Sequence, residues 1–305
     1  RTHALGAAMG LATELLLFAT LALATSGVRL PPKAQSDETA CDIPTGFHVV
    51  DMKDSKVGPL KMVLRRWTKL DVISKWLEEY GYWEIQHPRE LAAMADRTVP
   101  ANGTFVDIGA NLGWYSVMFA RIGYNVIAVE PMEVNKRAIL ATLCLNPDIK
   151  DRVKVLPVAL VAPEDTDQLC VLRSDGQNRG NGVLTCTKDR ASVPCDLEVK
   201  RPTWGDACEV VKVSTLDGLL KEQGVRSVDV VKMDIEGFEC NVLRGGQSLF
   251  SKFRVKLLQA ETKQRHVEEC FAKEASSHGY RMGEGVGQDK NRVISSSMIR
   301  VMTSA

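Results

Sequence analysis

Apolar and polar positions along the chain change period several times, and each change marks a different kind of element. From Ala4 to Ala24 the sequence is almost wholly apolar, with Glu14 its only charge. A span of this length suits one membrane crossing, which takes about 20 residues for a core of roughly 30 Å. It closes on Ala22-Leu23-Ala24, the small-x-small pattern of a signal-peptidase site. Residues 1–24 are therefore expected to be a signal peptide or membrane anchor, the alternative being an apolar helix packed on the domain. Glu14 counts against comfortable residence at a bilayer centre, where a carboxylate costs a few kcal/mol. Residue 1 is Arg rather than Met, so the sequence reads as starting inside a longer precursor. Residues 25–50, with Pro31-Pro32, Ser36 and Asp37, lack periodicity and read as a linker.

Residues 51–100 read as an N-terminal helical cap. Leu60, Met62, Val63, Trp67, Leu70, Val72 and Ile73, then Trp76 and Leu77, fall mostly at helical spacings, and a second short helix is expected from Glu90. After Pro100 and Gly103 the period changes. Runs at 104–108, 125–129, 153–158, 228–233 and 255–260 are short, β-rich and nearly continuously apolar, and helical stretches at 115–121, 133–145, 214–222 and 239–250 separate most of them. That alternation predicts an α/β fold over 101–305, a mostly parallel sheet with helices on both faces. Residues 163–212, rich in Asp, Gly, Asn, Pro and Cys, break the rhythm and read as an insertion with a hairpin or two. Such a sheet binds ligands at the carboxyl ends of its strands, which confines the search for chemistry to those loops.

Composition removes classes rather than choosing one. Apolar residues at 45% and charged residues at 25% exclude a disordered or polytopic membrane chain. The 39 basic and 38 acidic residues leave a net charge of +1, so no nucleic-acid partner is expected.

The first strand runs into Phe105-Val106-Asp107-Ile108-Gly109-Ala110-Asn111-Leu112-Gly113-Trp114-Tyr115-Ser116. Glycines there let a ligand approach the backbone, and the helix that follows offers free N–H donors. The dinucleotide fingerprint G-x-G-x-x-G does not fit, because its second and third glycines would fall on Asn111 and Trp114. D-x-G-x-x-x-G is instead the pattern of S-adenosylmethionine binders. Glu130 ends the second strand, where a carboxylate can accept hydrogen bonds from a ribose diol. The alternatives are a nucleotide-linked oxidoreductase, or a catalytically inactive fold kept as a binding module. In the fourth strand Lys232, Asp234 and Glu236 alternate, which places them on one side; burying three charges together requires mutual pairing or a ligand.

At this point the sequence resembles the FkbM-type methyltransferases. The likeness is carried by FVDIGANLGWYS, VIAVEP at 126–131, Asn146 closing the next helix, STLDGLL at 214–220 and VKMDIEGFECNVLRGG at 231–246. Upstream, Asp71-Val72-Ile73-Ser74 and Gly81-Tyr82-Trp83-Glu84 also look like that family. The resemblance implies a class I, Rossmann-like methyltransferase using S-adenosylmethionine, usually on an oxygen of a sugar, glycan or small molecule. It implies that Asp107, Gly109, Asn111 and Gly113 contact the methionine portion, that Glu130 holds the ribose, and that Asp234 and Glu236 face the transfer site. The expected base is Asp234 or Glu236, with Lys232 keeping the carboxylate ionised; Glu261 and His266 come next. No metal is expected.

Cys170, Cys186, Cys195 and Cys208 cluster in the insertion, while Cys144 and Cys240 sit in expected core helices. No C-x-x-C pair occurs, so zinc is not favoured. With the apolar leader, two disulfides in the insertion and residence in the secretory pathway are expected, lumenal or secreted, with residues 4–24 as a membrane tether. Organelle targeting or the cytoplasm is the alternative.

Overall fold

A computed structural model describes residues 41–53, 55–66, 71–85, 91, 103–174, 182–193, 207–285 and 290–295. The apolar segment 4–24, the start of the expected helix at Glu90, and Cys195 lie outside them. Among the described residues no helix is long and apolar enough to cross a membrane.

The chain opens with an antiparallel hairpin, β1 (Phe47–Asp51) and β2 (Lys61–Arg65), followed by helix α1 (Val72–Tyr80). This corrects two expectations. Residues 47–50, read as linker, are strand, and residues 61–65, read as helix, are strand as well. Four of the five β2 residues are buried, which erases the in–out alternation that marks a half-exposed strand. The helical reading holds for α1, which Asp71 caps by accepting from the Ser74 N–H at 2.8 Å.

The central sheet follows: β3 (Thr104–Ile108), helix α2 (Trp114–Arg121), β4 (Asn125–Val129), helix α3 (Glu133–Leu145), β5 (Val153–Leu156) and a short β6 (Ala159–Leu160). The insertion supplies β7 (Leu169–Ser174), β8 (Gly182–Thr187) and β9 (Ala207–Val210), an antiparallel three-stranded sheet ordered β8-β7-β9. The chain returns through β10 (Val213–Ser214), which pairs with β6, and α4 (Leu216–Glu222). The rest is β11 (Val230–Met233), α5 (Glu239–Arg244), α6 (Ser248–Ser251), β12 (Leu257–Glu261), α7 (Arg265–Ser277), β13 (Arg281–Met282) and β14 (Asn291–Ser295).

The seven-stranded order is β13-β14-β12-β11-β3-β4-β5, with β12, β11, β3, β4 and β5 parallel and β14 antiparallel to β12. This is the class I, Rossmann-like arrangement. Successive residues of each strand enter opposite cores. Phe105, Val126 and Val230 pack with α2, α3 and the hairpin, whereas Val106, Ile127 and Val231 pack with α4 to α7. Because the chain goes from β3 to β4 on one side and later to β11 on the other, the strand ends diverge at β3. A crevice opens there.

Among the described residues, Cys41–Cys144 ties the N-terminal segment to α3, Cys170–Cys186 joins the directly opposed residues of β7 and β8, and Cys240–Cys270 joins α5 to α7. Cys208 of β9 is disulfide-bonded too. The hairpin is also sewn to α3 by side chains. Val63 N–H donates to Thr142 Oγ1 at 2.9 Å, and Asn146 Nδ2 donates to the Lys61 carbonyl at 2.7 Å.

Candidate active site

A cavity of about 310 Å³ occupies the crevice. Its floor comes from the loops after β3, β4 and β11 and from the end of β12, through Gly109, Asn111, Glu130, Asp234, Glu236 and Glu261. Ile73, Trp83 and Glu84 wall it from the N-terminal segment, and Leu172, Gly182 and Leu184 from the disulfide-bonded insertion. The insertion is therefore part of the pocket.

The turn after β3 is tight because Gly109, Asn111 and Gly113 all have positive φ (76°, 52° and 82°). The Gly109 and Ala110 N–H groups both donate to the Val129 carbonyl, and a Cβ at Gly109 would collide with the Asp234 carbonyl. Only glycine lets the β3 and β11 loops touch there. Gly113 begins α2 and packs on Ile139, and it does not line the cavity.

Glu130 is 5% exposed. Its Oε2 accepts from Asn111 N–H at 2.7 Å and its Oε1 from Met132 N–H at 2.9 Å. Burial pushes it up to about 7, against these two bonds, the Asn135 side chain and the Arg65 charge, all of which pull it down. A carboxylate has roughly four acceptor positions, so its two backbone partners leave it capacity for a ligand hydroxyl.

On the other side of β3 the charges form one network. Lys232 Nζ donates to the Gly109 carbonyl at 3.0 Å and lies 3.4 Å from Asp234 Oδ2 and 3.9 Å from Asp107 Oδ1. Burial alone would lower Lys232, but Asp234, Asp107 and Glu84 outweigh it and hold its pKa above the ordinary lysine value. Lys232 is thus a fixed cation behind the site. Asp107 is fully enclosed and accepts from Ser116 Oγ at 2.6 Å, so it braces the loop and does not line the cavity. The expected single face of Lys232, Asp234 and Glu236 is corrected: β11 ends at Met233, and Glu236 (φ 58°) lies in the turn that follows.

Asp234, Glu236 and Glu261 each place a carboxylate oxygen within 4.8 Å of the others. Oxygen-preferring divalent cations use ligands of this kind, so these three are the residues that could hold one. His266 stands apart. It is exposed, its Nε2 lies 3.2 Å from the Gly237 carbonyl, and it does not line the cavity.

Sequence reasoning did not single out Tyr115, Glu239 or Gln259, and named Glu84 only within a resemblance. Tyr115 donates its hydroxyl to Glu84 Oε2 at 2.9 Å and receives Gln259 Nε2 at 3.4 Å; Asn291 donates to Glu84 Oε1 at 2.8 Å. Glu239 is 1% exposed and accepts the Ile235 N–H at 2.9 Å, fixing the turn after β11; burial pushes it up to about 7. A glutamate opening a helix two residues after a D-x-E-G turn was the available signal for it.

The Methyltransferase FkbM domain matches residues 107–282. The chain belongs to that family. Methyltransferase sdnD of Sordaria araneosa is 29% identical over 191 residues, covering 57% of this chain and 70% of that protein. Among solved structures, the METTL16 methyltransferase domain matches with a TM-score of 0.43 at 14% identity, over 69% of this chain and 66% of that one. A methyltransferase from Geobacter sulfurreducens matches with a TM-score of 0.39 at 18% identity, over 70% and 79%. Family membership sets aside the oxidoreductase alternative and makes S-adenosylmethionine the cofactor of this FkbM methyltransferase. The residues present fit that molecule: a glycine turn that no side chain blocks, and a buried carboxylate with acceptor capacity left at the end of β4.

Proposed function

We propose that this methyltransferase acts on a hydroxyl oxygen of a neutral sugar, glycan or related small molecule. The observation that carries the reading is the trio Asp234, Glu236 and Glu261 in the cavity with protonated Lys232 behind it. Bound S-adenosylmethionine supplies a methyl group on a positively charged sulfur. Gly109 and Asn111 would hold its amino-acid end and Glu130 its ribose hydroxyls, with Asp107 and Gly113 supporting that loop from behind. A hydroxyl is a poor nucleophile until its proton leaves, so Asp234 or Glu236 orients the acceptor oxygen and takes that proton. Lys232, 3.4 Å from Asp234, pairs with that carboxylate from behind. Most of the remaining acceleration would come from holding the acceptor oxygen in place for the transfer.

Two features support a neutral, ring-bearing acceptor. The acidic wall repels anions, and α1 presents Trp76 and Tyr80, 40% and 54% exposed, beside cavity-lining Val72 and Trp83. A net charge of +1 gives a nucleic acid no purchase. The disulfides support a lumenal or secreted location, with residues 4–24 as leader or tether, because such bonds persist in oxidising compartments.

The test is incubation with methyl-labelled cofactor and a panel of neutral oligosaccharides, phosphorylated sugars and amines, with mass analysis of products. A methyl ether on a neutral hydroxyl is expected. Label on nitrogen or on the phosphorylated sugars alone would overturn the acceptor reading, and cofactor binding without transfer to any of them would favour the inactive binding module.

A further inference from the structure

Glu84 is a cavity carboxylate to which the chemistry above gives no task. It lines the cavity from the N-terminal segment, ahead of the stretch that matches the family. Its backbone sits at φ 58°, a left-handed conformation that a residue with a Cβ adopts only where its surroundings enforce it. Its neighbours do so. The Ile85 N–H donates to the Trp83 carbonyl at 2.6 Å, and Trp114 Nε1 donates to the Ile85 carbonyl at 3.3 Å. Trp114 opens α2 directly after the glycine turn, so Glu84 is pinned beside that turn.

The side chain is held as firmly as the backbone. A carboxylate only accepts, so the Tyr115 hydroxyl turns its proton to Glu84 Oε2 at 2.9 Å and receives Gln259 Nε2 on its own lone pair at 3.4 Å. Asn291 Nδ2 donates to Glu84 Oε1 at 2.8 Å. Residues of α2, β12 and β14 thus converge on one carboxylate. Each of its oxygens uses one of roughly two acceptor positions on these bonds, and the residue stays exposed. Both direct partners are neutral, and among the described residues no cation touches it.

The cofactor brings a cation to this end of the crevice. S-adenosylmethionine carries an α-ammonium on its amino-acid end, and the glycine turn that receives that end is poorly placed to neutralise it. The Gly109 carbonyl already takes Lys232 Nζ at 3.0 Å, and a second ammonium on the same oxygen would be repelled by the first. The Ala110 carbonyl takes the Gly113 N–H at 2.7 Å. Asp234 is shared with Lys232, and Asp107 does not line the cavity. Tyr115, whose ring centre is 5.4 Å from Lys232 Nζ, ties Glu84 to this same end.

We propose that Glu84 is the anionic partner of the cofactor's α-ammonium, with Tyr115 and Asn291 as the residues that position it. The cofactor site then extends into the N-terminal segment. The inference rests on the cofactor and is independent of which hydroxyl is methylated.

Calorimetric titration of the full chain at pH 7 with two probes tests it: S-adenosylhomocysteine, and its analogue in which hydrogen replaces the α-amino group. The wild type is expected to bind the first roughly tenfold more tightly, the worth of a hydrogen bond between charged groups. Glu84→Gln should erase that preference by weakening S-adenosylhomocysteine alone, with the deamino analogue bound as by the wild type. Tyr115→Phe keeps the ring and removes one donor, and should reduce the preference to about threefold. If Glu84→Gln fails to fold, an unchanged preference in Tyr115→Phe overturns the proposal. A merely structural Glu84 would weaken both probes equally when replaced, and that result overturns it as well. So does a tenfold preference that survives in folded Glu84→Gln, or one that is lost in Asp234→Asn instead. Binding of neither probe to the wild type would remove the cofactor assignment itself, whereas equal binding of the two removes Glu84 alone.

Discussion

The two flanks of β3 treat carboxylates in opposite ways. On the β4 flank, Glu130 is 5% exposed, takes two backbone N–H groups and is backed by Asn135 and Arg65. On the β11 flank, the Asp234 side chain is 30% exposed, Glu236 and Glu261 are half-buried, and the cation stands behind rather than in front. The difference follows from what each side must bind. A cofactor is the same in every turnover, so its acceptor can be fixed in advance at no cost in versatility. An acceptor hydroxyl must arrive, lose a proton and leave, and its carboxylates have to stay accessible to water.

Substitutions on the two flanks should therefore give crossed signatures. Asp234→Asn should lower turnover about 10²–10⁴-fold, the usual worth of a positioned base, with cofactor affinity nearly unchanged. Unaltered turnover would remove Asp234 from the chemistry. Glu130→Gln should instead weaken the cofactor roughly tenfold and leave kcat at saturation intact, measured as a KM-against-kcat split. If both variants change the same parameter, the contrast between the flanks is wrong.

A smaller effect of pH separates stability from cofactor affinity. Burial raises Glu130 and Glu239 to about 7, above the ordinary glutamate value of 4.5. Between those two values the folded chain binds more protons than the unfolded one, so these groups add stability as pH falls through about 7. Cofactor affinity runs the other way, because protonated Glu130 loses acceptor capacity. Melting curves and titrations between pH 5.5 and 8 should show opposed trends, and parallel trends would break the assignment. His266→Ala should change turnover by less than about twofold, since His266 faces the Gly237 carbonyl outside the cavity. A large loss would bring it back as the base.

The parts legible in the sequence are those whose determinants are local. The strands Thr104–Ile108 and Asn125–Val129 and the helix Glu133–Leu145 coincide with their apolar runs, because each is buried by neighbours that its own composition already demands. Glu130 and Gly109 were readable for the same reason: a strand end and a sharp turn fix them. β2 was misread because a strand buried along nearly its whole length offers no alternation. Glu84, Tyr115 and Gln259 meet across 31 and 144 positions of sequence, and nothing local in any of them announces the partner. The same holds for Arg65 and Asn135, 70 positions apart. Cys144 and Cys240 read only as members of core helices, because Cys41 and Cys270 become their neighbours only after folding.

One of those bridges changes what happens when the chain is damaged. Cys41 and Cys144 are 103 positions apart, and the segment between them carries the hairpin, α1, β3, α2 and β4. A protease that nicks this segment once produces two pieces that remain a single covalent molecule, running at intact mass on a gel until a reductant is added. The piece that holds Cys41 stays leashed to α3, the helix that carries Asn135. In a thiol-rich medium the same nick would release it.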